Sequence, residues 1–212
     1  MSARYPVMID PSEWFILVVG GGEVALRKVR GLVEAGGRPD IVAPDVHPEL
    51  YELIQEHRLE WRQREFAEGD TAEHDLVFAA TDSPEVNAEV GREAGGEGSL
   101  FNLADDPRNS RFHVPATIRH DDVVVAFSTG GASPLLARRL RERLEAVITP
   151  GLGRAATRLA AVRKEIRARW PKDGGKRRAA WHDLITPEFL DAAIGGRDDE
   201  VEHRISACLS QS

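Results

Sequence analysis

The sequence predicts an α/β fold, with a parallel sheet in its N-terminal half and an all-helical C-terminal region. Three observations predict it. The first is the run Ile16-Leu17-Val18-Val19, mostly β-branched, which enters Gly20-Gly21-Gly22 and then a segment of helical pattern. A short apolar run bounded by glycine reads as a buried strand. The second is the recurrence of such runs at Asp40-Ile41-Val42-Ala43-Pro44, Asp75-Leu76-Val77-Phe78-Ala79-Ala80 and Ser99-Leu100-Phe101-Asn102-Leu103-Ala104, with helical pattern between them. Strands alternating with helices point to βαβ units and a parallel sheet. The third is that apolar residues beyond Thr149-Pro150-Gly151 recur only at helical spacing.

The bulk properties bound this reading. With 212 residues the chain suits one large domain or two modest ones. Hydrophobic residues at 42% and charged residues at 30% describe a globular protein, not a disordered one. No apolar run is long enough to span a bilayer. The start, Met1-Ser2-Ala3-Arg4-Tyr5-Pro6, lacks the apolar stretch of a signal peptide. No membrane association is expected, and the cytoplasm is the expected location. The single cysteine, Cys208, excludes an intrachain disulfide framework and a cysteine metal cluster, so no metal site is predicted.

Net charge is −7, unevenly spread. Residues 151–180 hold ten Lys/Arg against Glu165 and Asp173, a net +8, which leaves −15 for the remainder. A basic patch on an acidic protein favours an anionic ligand over nucleic acid. The alternative is a solvated helix face.

The elements follow in order. After an N-terminal segment over residues 5–15, the first strand ends at the glycine turn. The spacing Gly20-x-Gly22-x-x-Ala25 matches a dinucleotide fingerprint. The first amides of the helix beginning at Glu23-Val24 are unpaired, the helix dipole adds positive charge, and glycine leaves room for a pyrophosphate. A tight βα turn without a ligand is the alternative. That helix runs to about Ala35, stopped by Gly36-Gly37. The second strand ends at Pro44-Asp45, about twenty residues past the glycines, where an acidic side chain can accept hydrogen bonds from a ribose. It would repel a 2′-phosphate, so NAD is favoured over NADP. Asp45 could equally be a turn or cap residue.

A helix over 47–57, a strand over 59–64 and the strand 75–80 come next. Ala80, Thr81 and Asp82 stand at the carboxyl end of that last strand, where ligands bind in parallel sheets. Ser83-Pro84 starts a helix over 85–94, and Gly95-Gly96-Glu97-Gly98-Ser99 reads as a loop. The strand over 99–104 ends at Asp105-Asp106-Pro107. A carboxylate there can take a proton while a nicotinamide accepts hydride; a merely polar turn is the other reading. Two strands, 112–119 and 123–128, flank the turn His120-Asp121-Asp122. The loop Thr129-Gly130-Gly131-Ala132-Ser133-Pro134 leads into a helix over 135–148, and the glycines there are either an anion site or a structural turn. Beyond the break at 149–151, helices are expected from Arg154 to about Trp170, from Arg178 to Leu184, from Thr186 to Ile194 and over 198–209.

Four segments together resemble a known family. They are Val18-Val19-Gly20-Gly21-Gly22-Glu23-Val24-Ala25-Leu26-Arg27-Lys28; Ala80-Thr81-Asp82 with Asn87; Phe101-Asn102-Leu103-Ala104-Asp105-Asp106-Pro107; and Ser128-Thr129-Gly130-Gly131-Ala132-Ser133-Pro134-Leu135-Leu136-Ala137-Arg138. The chain resembles the precorrin-2 dehydrogenase/sirohydrochlorin ferrochelatase family, firmly over residues 5–145 and more weakly over the helical tail. With no methyltransferase segment following, the stand-alone form is expected. The resemblance implies an NAD-binding Rossmann domain over 1–112, a central dimerisation segment over 113–150 and a helical tetrapyrrole-binding domain over 151–212, in a homodimer. It implies NAD as cofactor and a tetrapyrrole substrate, precorrin-2, oxidised to sirohydrochlorin, with Fe2+ as a further substrate in members that also chelate.

Residue by residue, the resemblance assigns cofactor contacts to Glu23-Val24 and Pro44-Asp45, beside Gly20 and Gly22 of the fingerprint and Thr81 at the strand end, and the catalytic carboxylate to Asp105. Thr129 falls at or beside a position that is a phosphorylatable serine in some relatives. Ser128, Thr129, Arg138 and Arg139 are the candidate substrate contacts, together with the basic run from Arg154 to Arg178, because Arg and Lys pair with carboxylates. His113 is a secondary candidate for proton transfer. There are two departures from the family pattern: Ser110 stands where a cysteine is common, and Leu103-Ala104 replaces a Val-Val pair. The rival reading is a non-catalytic dinucleotide-sensing module.

Overall fold

Strand β1 (Ile16–Val19) is buried on both faces, as a β-branched run in the middle of a parallel sheet should be. The computed structural model describes residues 5–130 and 132–210. β1 is the centre of a five-stranded sheet with β2 (Asp40–Val42), β3 (Trp61–Arg62), β4 (Leu76–Ala79) and β5 (Leu100–Leu103), in the order β3-β2-β1-β4-β5. Every pairing in it is parallel. Helices α1 (Glu23–Glu34) and α2 (Pro48–His57) cover one face, burying Ile16, Val18, Val29, Leu50 and Phe78. Helix α3 (Pro84–Glu97) covers the other, over Leu17, Val19, Val77 and Ala79. The strand order reverses between β1 and β4, and in open parallel sheets ligands bind at the carboxyl ends of the strands beside such a reversal.

α3 runs three residues beyond the predicted end, through Gly95-Gly96. Its glycines serve packing: a Cβ on Gly91 would lie 3.0 Å from Leu103, and one on Gly95 3.2 Å from the Phe101 ring. The stop is Gly98, at φ +90°. No helix joins β3 to β4. That connection is held by Asp70, which accepts from Arg64 at 2.6 Å and from Ala67 N at 2.9 Å, and by Thr71, whose hydroxyl meets Glu93 and Glu97 of α3.

The chain divides into two compact units, Met1–Val114 and Pro115–Ser212. The second opens with an antiparallel hairpin, β6 (Ala116–His120) and β7 (Val123–Phe127), turning through Asp121 at φ +50°. β6 starts four residues later than predicted, because residues 111–112 return to β5: Arg111 N donates to Phe101 O at 3.0 Å and Asn102 Nδ2 to Phe112 O at 3.1 Å. Helices α4 (Pro134–Glu145), α5 (Pro150–Arg169), α6 (Gly174–Leu184), α7 (Pro187–Ile194) and α8 (Asp198–Ser210) follow. The core of α5 to α8 is Val162, Ile166, Leu184, Phe189, Val201 and Ile205.

α5 begins at Pro150, four residues before the predicted start, capped by the Thr149 hydroxyl. Gly151 and Gly153 sit inside it. A Cβ on Gly151 would lie 2.4 Å from Ala193 O and one on Gly153 2.6 Å from His120 O, so both glycines let neighbouring backbone approach. Among the described residues no helix is long and apolar enough to cross a membrane.

Candidate functional site

The glycine turn uses its three glycines differently. Gly20 has φ +120°, and a Cβ there would lie 2.2 Å from Ala80 O. A Cβ on Gly21 would lie 1.9 Å from Asp45 O. Gly22 has open space in the Cβ direction and is the N-cap of α1 without a side-chain cap. The first two glycines are therefore demanded by the protein's own backbone. The third keeps the amides at the start of α1 accessible, as a bound phosphate requires. Helices α2, α3, α4, α5, α6 and α7 each have a side chain accepting a hydrogen bond at the N-terminus, so α1 differs from all of them.

The same contacts gather the other predicted cofactor residues. Gly21 packs on Asp45 and Val46, Gly20 on Ala80 and Thr81, and His47 N donates to Gly21 O at 2.7 Å. Pro44, Asp45 and Glu23 are exposed on this rim, with Val24 half-buried behind them. Thr81 is engaged within the fold. Its N–H and hydroxyl both meet Asn87 Oδ1, at 3.1 and 2.8 Å, and its carbonyl accepts from Asn87 Nδ2 at 3.1 Å. Asn87, buried on α3, thus fixes the loop after β4. Lys28, one helical turn beyond Val24, holds its ammonium 5.7 Å above the Phe78 ring. Burial pushes its pKa down, and neighbouring Arg27 adds to the shift.

The paired aspartates after β5 separate into two roles. Asp106 is tied into its turn, accepting from Arg108 N and Asn109 N, both at 3.2 Å, and from Asn109 Nδ2 at 2.6 Å. The Asn109 side chain and then its backbone amide hold the Asp106 carboxyl below its ordinary value. Asp105 is exposed and makes no hydrogen bond or ion pair among the described residues. The polar-turn reading therefore fits Asp106, and the reactive reading stays open for Asp105. Ser110 is buried, accepting from Leu103 N and donating to Asp106 O, both at 2.9 Å. His113 Nε2 donates to Pro107 O at 2.6 Å, which ties this ring to the loop. The sequence marked Asn87 and Ser110 as family positions but not what they bond, since a buried polar side chain is recognised only by its tertiary partners.

In the second unit, Thr129 and Ser133 hold each other. Ser133 N donates to Thr129 Oγ1 and that hydroxyl to Ser133 O, both at 3.4 Å. Ser128 Oγ accepts from Gly130 N at 3.1 Å. Gly131 of this predicted turn lies outside the described residues. Arg138 and Arg139 project from α4 and both reach Glu142, at 3.3 and 2.8 Å, in exposed pairs of small energy. The basic run is partly neutralised by α8. Arg154 pairs with Asp198 at 2.9 Å and Arg158 with Glu202 at 2.7 Å. Arg163, Lys164 and Arg167 share one exposed stripe of α5 with no ion pair among the described residues.

A family model described as "Putative NAD(P)-binding" matches residues 7–116, and one described as "Sirohaem biosynthesis protein central" matches residues 125–146. Siroheme synthase 3 of Aeromonas hydrophila is 40% identical over 194 residues. The chain belongs to the precorrin-2 dehydrogenase/sirohydrochlorin ferrochelatase family. That alignment covers 92% of this family member and 41% of the Aeromonas protein. Siroheme synthase of Chromobacterium violaceum is 38% identical over 207 residues, covering 96% of this chain and 44% of that one. The chain thus spans less than half the length of these curated relatives. A solved structure described as "SirC, precorrin-2 dehydrogenase" matches with a TM-score of 0.79 at 26% identity, covering 96% of this chain and 100% of that one. Within this family member, the central model spans the end of β7, the Ser128–Ser133 loop and α4.

Proposed function

We propose that this chain oxidises precorrin-2 to sirohydrochlorin with NAD+ as the acceptor. One geometric observation carries the reading. Val19 pairs with Ala79 and Ala79 with Leu103, so the strand ends Gly20, Ala80 and Ala104 lie in one row. The backbone at Ala104, which leads into Asp105, then stands two strand spacings from Gly20, roughly 10 Å. That separation suits a dinucleotide whose phosphates lie on the turn and whose reactive ring reaches toward β5.

The open Cβ position of Gly22 and the uncapped start of α1 fit a pyrophosphate. Gly20, Glu23 and Val24 would line its site, with Thr81 only bordering it, since the Thr81 N–H, carbonyl and hydroxyl are all engaged by Asn87. Pro44 and Asp45 would border the adenosine ribose, and the Asp45 carboxylate favours a free 2′-hydroxyl over a 2′-phosphate. Bound NAD+ supplies the hydride acceptor. Asp105 takes the proton that leaves the tetrapyrrole as the hydride departs. Ser128, Thr129, Arg138, Arg139 and the unpaired cations of α5 would receive the substrate's carboxylates. The Arg138 and Arg139 pairs with Glu142 are weak enough to exchange for such a ligand.

The half-exposed apolar residues Leu136 and Leu140 of α4, with Val147 just after it, support a homodimer built on the 113–150 segment. If the chain also inserts Fe2+ into the product, the same carboxylate would take the pyrrole protons. The test mixes protein, NAD+ and precorrin-2 and follows sirohydrochlorin absorbance, then repeats it with Asp105→Asn and with Fe2+ or Co2+ added. A wild type that binds NAD+ without forming sirohydrochlorin would make this a dinucleotide-sensing module. A fully active Asp105→Asn would remove the role given to the carboxylate.

A further inference from the structure

Asp105 is unusual in having a free carboxylate on a tightly held loop. The loop leaves β5 at Leu103 and is pinned at three later points. Asp106 caps the amides of Arg108 and Asn109, Ser110 reaches back to Leu103 N and Asp106 O, and His113 holds Pro107 O. The Ser110 contacts differ from the others, because their two backbone partners flank Asp105 directly, one residue after it and two before it. A hydroxyl has one proton to donate and lone pairs to accept with, and both functions are used here at 2.9 Å. Ser110 is 6% exposed, so water does not readily replace it.

We propose that Ser110 is a positioning residue for Asp105, clamping the backbone on both sides of it so that its carboxylate is presented in one place. The proposal rests on the function proposed above. A thiol makes longer and weaker hydrogen bonds than a hydroxyl, so a cysteine at this position would hold the loop less tightly than Ser110 does.

The experiment is a double-mutant cycle in the full chain, with kcat, KM for precorrin-2 and Kd for NAD+ as readouts. Ser110→Ala leaves Leu103 N and Asp106 O unpaired and frees the loop. The expected result is a fall in kcat of up to about 100-fold, the scale of a displacement near 1 Å. NAD+ affinity should stay within about twofold, because the glycine turn is on other strands. Ser110→Cys should recover most of the loss. In an Asp105→Asn background, Ser110→Ala should have no further effect on kcat, because a positioning residue has nothing left to position. An equal fall in both backgrounds would overturn the proposal, as would an unchanged kcat in a folded Ser110→Ala. Should Ser110→Ala fail to fold, Ser110→Cys carries the same cycle, with the smaller fall in kcat that its weaker hydrogen bonds predict beside Asp105 and none in the Asp105→Asn background; equal falls in both would overturn the proposal. A crippled Asp105→Asn beside an unaffected Ser110→Ala refutes this inference alone, whereas an unaffected Asp105→Asn refutes the function it rests on.

Discussion

Gly20 and Gly22 carry the same side chain for different reasons, and substitution separates them. Gly20→Ala meets Ala80 O at 2.2 Å from a left-handed φ of +120°, so it should destabilise the first unit. The strain of such a backbone is on the order of 1–3 kcal/mol before the clash is counted. Gly22→Ala enters open space and should leave Tm unchanged while weakening NAD+ about tenfold or more. Thermal melts with and without NAD+ check both, and a Gly22→Ala that binds NAD+ normally would show that the turn is structural only. The two aspartates separate in the same way. Asp106 has its pKa lowered by its hydrogen bonds from Asn109, so its contribution to loop order is complete above the ordinary value of 3.8. As pH falls below that, the unfolded chain takes up its proton first and the contribution drains away until the folded group is protonated too. The Arg108 and Asn109 amide resonances should therefore shift together in acid, and Asp106→Asn should abolish the transition.

Among the elements, α4 is the one whose pattern and burial disagree. Its leucines recur at helical spacing as a core helix would show, yet Leu136 is 50% and Leu140 40% exposed and none of its described residues is fully buried. An apolar stripe on a soluble helix needs a cover, and a second copy is the occupant proposed. Leu136→Asp with Leu140→Asp should halve the sedimenting mass with little change in the far-UV spectrum, whereas an unaltered mass would remove α4 from the interface. α3 teaches the converse. Gly95 and Gly96 look like a loop by composition, but the helix continues because Gly95 lets it approach Phe101 closely. Tertiary contact there outweighs the weak helix propensity of glycine.

At the scale of the whole molecule, the uneven charge proves only partly free. Arg154 and Arg158 are paired with Asp198 and Glu202, so their loss should lower the stability of the helical unit and leave substrate affinity alone. Replacing Arg163, Lys164 and Arg167 together should instead raise KM for the tetrapyrrole on the order of tenfold and make activity less sensitive to salt. Steady-state kinetics at two ionic strengths distinguish the sets, and an unchanged KM in the triple variant would leave the stripe as a solvated face. The −7 net charge of the chain is compatible with this, since recognition depends on local unpaired cations and not on the sum.

How much was legible follows from how local each feature is. The buried strands, the glycine turn and the Pro-started helices are written in neighbouring residues, because strand burial, φ > 0 and capping are decided within a few positions. The family segments, including Asn102–Pro107, could likewise be read directly. What the sequence left open were pairings made by the fold: which of Asp105 and Asp106 is free, that Thr81 is spent on Asn87, that Ser110 reaches both sides of Asp105, and that α8 pairs with Arg154 and Arg158 of the basic run. The hydrogen bonds and ion pairs that decide these points join residues from 2 to 44 positions apart. The sequence by itself determined the parallel sheet and its phosphate-accepting turn. Only the tertiary structure decided which polar groups remain unpaired, because satisfaction of a buried donor or a charge depends on what the fold brings beside it.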